Sequence, residues 1–135
     1  MKILQFAFDG NEDNPYLPRN IEGSNWVVYT GTHDNSTIKS WWEYLDNDSK
    51  KRIKDEYNFS EDPSSSLIEI GMATKAYLFI VPIQDILSLD DSCRLNRPGT
   101  TKNNWKWKLN RPLEEIEEKL KIFSELGNNF GRTRK

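Results

Sequence analysis

Ten residues decide how this chain is interpreted: Trp26-Val27-Val28-Tyr29-Thr30-Gly31-Thr32-His33-Asp34-Asn35. Residues 26–30 are apolar on both faces, which predicts a parallel β-strand that is covered on both sides. Gly31 ends this strand, so the polar residues after it fall at a strand-to-helix corner. In sheets with parallel strands, functional side chains lie just beyond such strand ends.

The side chains of His33 and Asp34 are the candidate functional groups at this corner. A histidine and a carboxylate there can hold vicinal hydroxyls of a sugar ring, and the carboxylate can stabilise an oxocarbenium-like charge. The alternative is that Asp34 or Asn35 only caps the following helix, because Asp and Asn are preferred caps, and that His33 fills a turn. Spacing alone leaves both interpretations open.

Further elements are predicted on both sides of the corner. Strands are expected at residues 3–8 and 77–81, the second of them buried. Helices are expected from a cap at Asn35 or Ser36 to Leu45, at residues 48–57, from Asp62-Pro63 to Ala76, as a short turn at 84–89, and at 112–127, where Gly127 ends the last one. The apolar stripe of that last helix is Leu113, Ile116, Leu120 and Phe123.

This order of elements predicts an α/β fold with parallel strands, in one segment covering residues 1–135. Three strands leave two sheet edges open and too few helices to cover both faces. We therefore expect an incomplete portion of a (β/α)8 TIM-type barrel, which typically needs about 250 residues.

Composition excludes several classes of protein. The net charge of −2 comes from interspersed acids and bases, so neither a nucleic-acid partner nor a basic binding face is expected. One cysteine and one histidine exclude an internal disulfide and a Cys/His zinc site, and no metal or cofactor is expected. Residues 76–83 form the longest apolar run, too short for a membrane span, and no secretory signal is present, so a cytoplasmic location is expected. The basic tail 131–135 is expected to be a solvated, frayed terminus.

Several blocks of sequence, in order, resemble the closing segment of the amylomaltase and disproportionating-enzyme family of 4-α-glucanotransferases. The blocks extend from near the first residue to about Leu109. They are Gln5-Phe6-Ala7-Phe8, Asn14-Pro15-Tyr16-Leu17-Pro18, Val27 to Thr37 with Trp41-Trp42, Gln84-Asp85-Ile86-Leu87, Arg94 to Thr100, and Asn104 to Leu109. Asn103 departs from the family pattern, in which Gly is common at that position.

The resemblance implies the C-terminal part of a retaining (β/α)8-barrel enzyme that transfers α-1,4-glucan segments without a cofactor. It implies that Asp34 is the transition-state-stabilising carboxylate and that His33 contacts the sugar at the cleavage point. Asp9 and Asn104 match positions that contact donor or acceptor glucose. The nucleophile and the acid/base carboxylate of this family come from earlier strands, which this sequence does not contain. We therefore expect the chain alone to be inactive and a fragment with the upstream strands to be its partner.

Two other functions stay open at this level. The chain could be a non-catalytic glucan-binding module in which tryptophans at positions 26, 41, 42, 105 and 107 stack on sugar rings. It could also be an interaction protein that reuses a barrel fragment, whose exposed sheet edges drive self-association. The paired acids Glu12-Asp13 and Asp90-Asp91 are expected to be solvated rather than catalytic.

Overall fold

One parallel sheet organises the chain. The computed structural model describes residues 1–133, and in them β1 is Lys2–Ile3, β2 is Val27–Tyr29 and β3 is Leu78–Ile80, in the order β1-β2-β3. Strand β2 is central and pairs in parallel with both neighbours. The parallel α/β prediction is confirmed. Within the described residues β1 and β3 each pair on one side only, so the sheet has two open margins.

The predicted strand at residues 3–8 is much shorter than expected. After β1 the backbone enters a 3₁₀ turn at Leu4–Phe6, in which the Ala7 N–H donates to the Leu4 carbonyl at 2.9 Å. The reason is the buried side chain of Gln5, whose amide Nε2 donates to the Ser36 carbonyl at 2.8 Å. The turn brings this amide beneath the loop that follows β2, a contact that local strand propensity cannot reveal.

The third strand is where predicted but is not buried. Leu78 is 46% exposed and Ile80 is 42% exposed, while Phe79 packs over the buried Gly71. Strand β3 is an edge strand with one face covered, so its alternate side chains point away from the core. The prediction of a buried strand was wrong for this reason.

Five α-helices accompany the sheet in residues 1–133. They are α1 Ile38–Tyr44, α2 Asn47–Tyr57, α3 Pro63–Ala73, α4 Ile83–Ile86 and α5 Leu113–Asn129. Asp62 caps α3 and Pro63 opens it, as predicted. The cap of α1 was predicted wrongly, because it is Thr37, whose hydroxyl accepts from the Ser40 N–H, and neither Asn35 nor Ser36. The apolar core between sheet and helices includes Leu4, Val28, Ile38, Ile53 and Leu67.

Helix α5 continues two residues past its predicted end. Gly127 lies inside it, buried, and a Cβ there would meet the Met72 Cε at 3.8 Å. Gly127 therefore lies beside α3, with room for a Cβ, and does not terminate α5. Two of the four residues of the predicted stripe face outward, since Leu113 is 64% and Leu120 is 41% exposed, whereas Phe123 packs against the core. None of the helices in residues 1–133 has the length and apolarity needed to span a membrane.

The tail after α5 is held against α3. The Arg132 guanidinium donates to the Met72 carbonyl at 2.7 Å and to the Ala76 carbonyl at 2.8 Å, and also to the Thr74 carbonyl. These contacts satisfy carbonyl groups in the last turn of α3 and in the segment just after it. The prediction of a frayed terminus was thus wrong for residues 131–133, and Arg134 and Lys135 lie outside the described residues.

Candidate active site

The candidate site is the loop of residues 31–37, at the carboxyl end of the central strand β2. Asn35 Oδ1 accepts from the Thr32 N–H at 2.9 Å and from the Thr32 hydroxyl at 2.8 Å, which closes the loop on itself. The cap of α1 is Thr37. The alternative that Asp34 or Asn35 only caps the helix is therefore wrong.

His33 and Asp34 are the exposed members of this loop. Their side chains are 51% and 48% exposed, and His33 Nε2 lies 3.3 Å from Asp34 Oδ1. Asn96 Nδ2 donates to the same Oδ1 at 2.6 Å, and Arg94 Nη2 donates to the Asp34 backbone carbonyl at 2.6 Å. The segment after β3 thus holds the candidate carboxylate, while Oδ2 accepts no hydrogen bond within residues 1–133.

An exposed indole lies beside the histidine. Trp105 is 61% exposed, and its ring centroid is 4.9 Å from that of His33 at an interplanar angle of 46°. The backbone of Trp105 has φ +60°, a left-handed conformation that is unusual for a bulky residue and that is associated with functional sites. An exposed aromatic face beside polar groups is a surface on which a sugar ring can stack.

Asn104 shapes the loop that presents Trp105. Its Oδ1 accepts from the Arg97 N–H at 3.0 Å and its Nδ2 donates to the Thr100 carbonyl at 3.0 Å. Both ends of its amide are thus used within the loop of residues 97–104. The preceding Asn103 has φ +62°, which explains why Gly suits this position and why Asn, which tolerates left-handed backbone, can replace it.

Asp9 is not in direct contact with this group in the described residues. Its Oδ1 accepts from the Asn11 N–H at 2.9 Å, and this bond, followed by one from the Asn14 side chain, lowers the pKa of Asp9. No hydrogen bond, ion pair or ring contact within residues 1–133 joins Asp9 to His33 or Asp34. The structure therefore brings three of the four predicted site residues into one region, and the sugar-contacting roles of all four stay predictions.

The cavity beneath the loop is too small for a sugar. It has a volume of about 70 Å³ and is lined by residues of the loop together with Gln84, Asp85 and Arg94. Pockets that enclose small molecules are typically about 300–1,000 Å³. A sugar ring would therefore contact the exposed side chains above the loop, not the cavity below it.

Two buried carboxylates behind the loop were missed or misjudged from the sequence. Asp85, 2% exposed, accepts from the Thr30 hydroxyl and the Ile38 N–H, and burial raises its pKa to about 6. Asp91 is 7% exposed, so the prediction that it is solvated was wrong, whereas Asp90 is exposed as predicted. Asp85 could have been identified because it is an acid inside the largely apolar stretch 76–89. An acid in such a stretch is a candidate for burial, and a buried acid needs hydrogen-bond or charge partners.

Three of the tryptophans pack against the core, away from the loop's surface. Trp41 lies 5.8 Å from Phe8, and Trp42 stacks on Phe59 at 5.0 Å, which places both in the aromatic part of the core. Trp26 packs against the core with the Lys2 ammonium 4.4 Å from its ring. This packing argues against a sugar-stacking role for Trp41 and Trp42.

Known proteins match this chain along most of its length. Residues 1–114 match the family model described as 4-alpha-glucanotransferase. The chain belongs to the 4-alpha-glucanotransferase family. It is 40% identical to the chloroplastic/amyloplastic 4-alpha-glucanotransferase of Arabidopsis thaliana over 98% of this chain and 23% of that protein. It is also 40% identical to the 4-alpha-glucanotransferase of Clostridium butyricum, over 98% of this chain and 27% of that protein.

A solved structure of the same family shows where the fold belongs. The amylomaltase from Streptococcus agalactiae in complex with acarbose superimposes with a TM-score of 0.89 at 27% identity, over 99% of this chain and 27% of that one. This chain therefore has the fold of part of an amylomaltase, which fits the C-terminal part expected from the sequence. It spans about a quarter of the length of the curated relatives that it matches.

Proposed function

We propose that this chain forms the part of a 4-alpha-glucanotransferase site that contains Asp34 and His33. The complete site transfers α-1,4-glucan segments from a donor to an acceptor glucose or glucan. The observation that carries this proposal is the Asp34 carboxylate, which is half exposed beside His33 and is held by Asn96. A fixed carboxylate with a free oxygen can stabilise positive charge without rearranging during the reaction.

The reaction proceeds by double displacement with retention. A nucleophilic carboxylate attacks the anomeric carbon of the donor while an acid protonates the departing glycosidic oxygen, which gives a β-glycosyl-enzyme. The same acid, now a base, then takes the proton from the 4-hydroxyl of the acceptor, which attacks the anomeric carbon and releases the nucleophile. Both transition states carry oxocarbenium-like charge, and Asp34 stabilises that charge in each.

The nucleophile and the acid/base come from the upstream strands of the family barrel. Retaining enzymes place these two carboxyl groups about 5–5.5 Å apart, so both belong to one preformed arrangement. Asp34 follows the central strand β2, and in the described residues β1 and β3 each leave a margin where further strands can pair. The isolated chain is therefore expected to bind glucan weakly and to leave maltotriose unchanged. Its expected location remains the cytoplasm, as predicted from the sequence.

Glucose release from maltotriose tests this function. The chain is assayed alone and together with an amylomaltase segment that supplies the upstream strands, joined to it or added separately. We expect activity only in the completed protein, and loss of at least about 10²-fold with Asp34→Asn, as for removal of a transition-state-stabilising group. The control is Asp55→Asn, an exposed acid on α2, which should retain full activity.

Two results would contradict the proposal. Glucose release by the isolated chain would mean that it contains its own nucleophile. An unchanged rate for Asp34→Asn in the completed protein would remove the assignment of the stabilising carboxylate.

A second candidate function is glucan binding without catalysis, and the exposed Trp105 favours it. Its indole lies beside His33, so a sugar ring could stack there without any upstream strand. Calorimetric titration of the isolated chain with maltoheptaose tests this function. Binding that Trp105→Ala abolishes would support it, with Tyr44→Ala as the control because Tyr44 is a 70% exposed aromatic on α1. Loss of binding in both variants would contradict it.

A further inference from the structure

One buried carboxylate fastens both ends of the loop that presents His33 and Asp34. Asp85 Oδ2 accepts from the Thr30 hydroxyl at 2.7 Å, and Asp85 Oδ1 accepts from the Ile38 N–H at 2.8 Å. Thr30 directly follows β2, and Ile38 is the first residue of α1. The residues that flank the loop 31–37 on both sides are therefore hydrogen-bonded to the same side chain.

A second carboxylate strengthens the return point. Asp91 Oδ1 accepts from the Thr37 N–H at 2.9 Å, and the Asp91 N–H donates to the Ser40 hydroxyl at 2.9 Å. Asp91 Oδ2 is 3.4 Å from Arg94 Nη1, on the same guanidinium that donates to the Asp34 carbonyl. Asp85 and Asp91 both come from the segment that follows β3, so this segment sets the position of the loop after β2.

The loop between these anchors is also fixed from below. Gln5 Nε2 donates to the Ser36 carbonyl at 2.8 Å, and a Cβ added at Gly31 would lie only 2.7 Å from the same nitrogen. The loop thus rests against the Gln5 amide with no space between them. Its conformation is determined at both ends and in the middle, and only His33 and Asp34 extend from it into solvent.

We propose that Asp85 is a positioning residue, which sets the location of His33 and Asp34 by joining Thr30 to Ile38. Its consequence for glucan transfer rests on the proposed function, whereas its consequence for the loop does not. Hydrogen bonds to an ionised acceptor are short and about twice as strong as neutral ones, which suits a carboxylate to this task better than an amide. Burying such a group is costly, and here hydrogen bonds from Thr30 and Ile38 to its two oxygens offset that cost.

The single histidine of the chain makes the loop directly observable. The Cε1–H and Cδ2–H resonances of His33 are unambiguous in a proton–carbon NMR spectrum, and they are sensitive to the Trp105 ring, whose centroid lies 4.9 Å away. The variants are Asp85→Asn, which keeps the shape but not the charge, and Thr30→Val, which removes one donor. Thr30→Ser restores the hydroxyl.

We expect the His33 resonances to shift in Asp85→Asn and in Thr30→Val, and to return to the wild-type positions in Thr30→Ser. The matched control is Asp46→Asn, because Asp46 accepts from the Ser49 N–H at 2.8 Å at the start of α2. This control should lose stability without moving the His33 resonances. If Asp85→Asn does not fold, the two Thr30 variants decide the question.

In the completed enzyme we expect Asp85→Asn to lower kcat by about 10–100-fold with a smaller effect on KM, as misplacement of reacting groups by about 1 Å does. His33 resonances that stay unmoved in folded Thr30→Val would overturn the positioning role. A completed wild-type protein without transferase activity would refute the proposed function instead, and the NMR comparison would still decide whether Asp85 positions the loop.

Discussion

The replacement Asp85→Asn should change how stability depends on pH, and the structure gives the size of the effect. Asp85 is buried, and desolvation raises its pKa from the ordinary 3.8 to about 6, against the opposing hydrogen bonds from Ile38 and Thr30. Repulsion by the nearby Asp91, which itself faces Arg94 and Arg97, adds to the increase. Because one pKa unit corresponds to about 1.4 kcal/mol, the difference amounts to about 3 kcal/mol of unfolding free energy.

The sign of this pH dependence follows from which state of the chain, folded or unfolded, holds the Asp85 proton more tightly. The pKa of Asp85 is higher in the folded chain than in the unfolded chain, so protonation favours folding. This contribution is complete below the unfolded value of 3.8 and is lost as the pH rises through about 6. Asparagine does not titrate. The unfolding free energy of the wild type minus that of Asp85→Asn should therefore fall by about 2–3 kcal/mol between about pH 4 and about pH 7.

Urea unfolding followed by tryptophan fluorescence at several pH values measures this difference. Acids that are common to both proteins cancel in the subtraction, including Asp9 and Asp46, whose pKa values hydrogen bonds lower. The control is Asp90→Asn, because side-chain and backbone hydrogen bonds from Ser92 lower the pKa of Asp90. The unfolding free energy of the wild type minus that of Asp90→Asn should show the opposite pH dependence, so that it decreases as the pH falls. A wild-type minus Asp85→Asn difference that stays flat or rises with pH would refute the reasoning.

Two further predictions concern the packing of α3. Gly71→Ala should destabilise the fold, because its Cβ would overlap the Phe79 ring and overpacking costs about 1–3 kcal/mol. Gly127→Ala should instead stabilise the fold by about 0.5–1 kcal/mol through helix propensity, because a Cβ at this position has room. Thermal unfolding measures both variants, and equal effects of Gly71→Ala and Gly127→Ala would contradict this account. Arg132→Met should cost about 1.5–3 kcal/mol through the lost charged hydrogen bonds to the end of α3. Arg111→Met, which breaks only an exposed contact with the next helical turn, should change urea unfolding little, and similar losses in both variants would argue against the role of Arg132.

The elements that the sequence predicted correctly depend on neighbouring residues. Asp62 and Pro63 begin α3 through a cap and a ring that act within one turn, so a local pattern was sufficient. Strand β2 was predicted because its apolar residues are consecutive. The site loop could likewise be located, since it is the polar segment that follows this strand.

The errors share a different physical origin, which is contact between distant parts of the chain. Gln5 turns the backbone out of the predicted strand in order to reach Ser36. Thr37 rather than Asn35 caps α1, because Asn35 is used within the loop and Asp91 holds the Thr37 N–H. A single residue pattern contains no information about partners that are dozens of positions away.

The open margin at β3 has a practical consequence for any measurement on this chain. In the described residues β3 pairs on one side only, and its exposed Leu78 and Ile80 favour the addition of a strand from a second molecule. Apparent glucan affinity and apparent stability would then both depend on how concentrated the sample is. Dilution series, and glycan titrations repeated at several protein concentrations, therefore need to come before any comparison of variants.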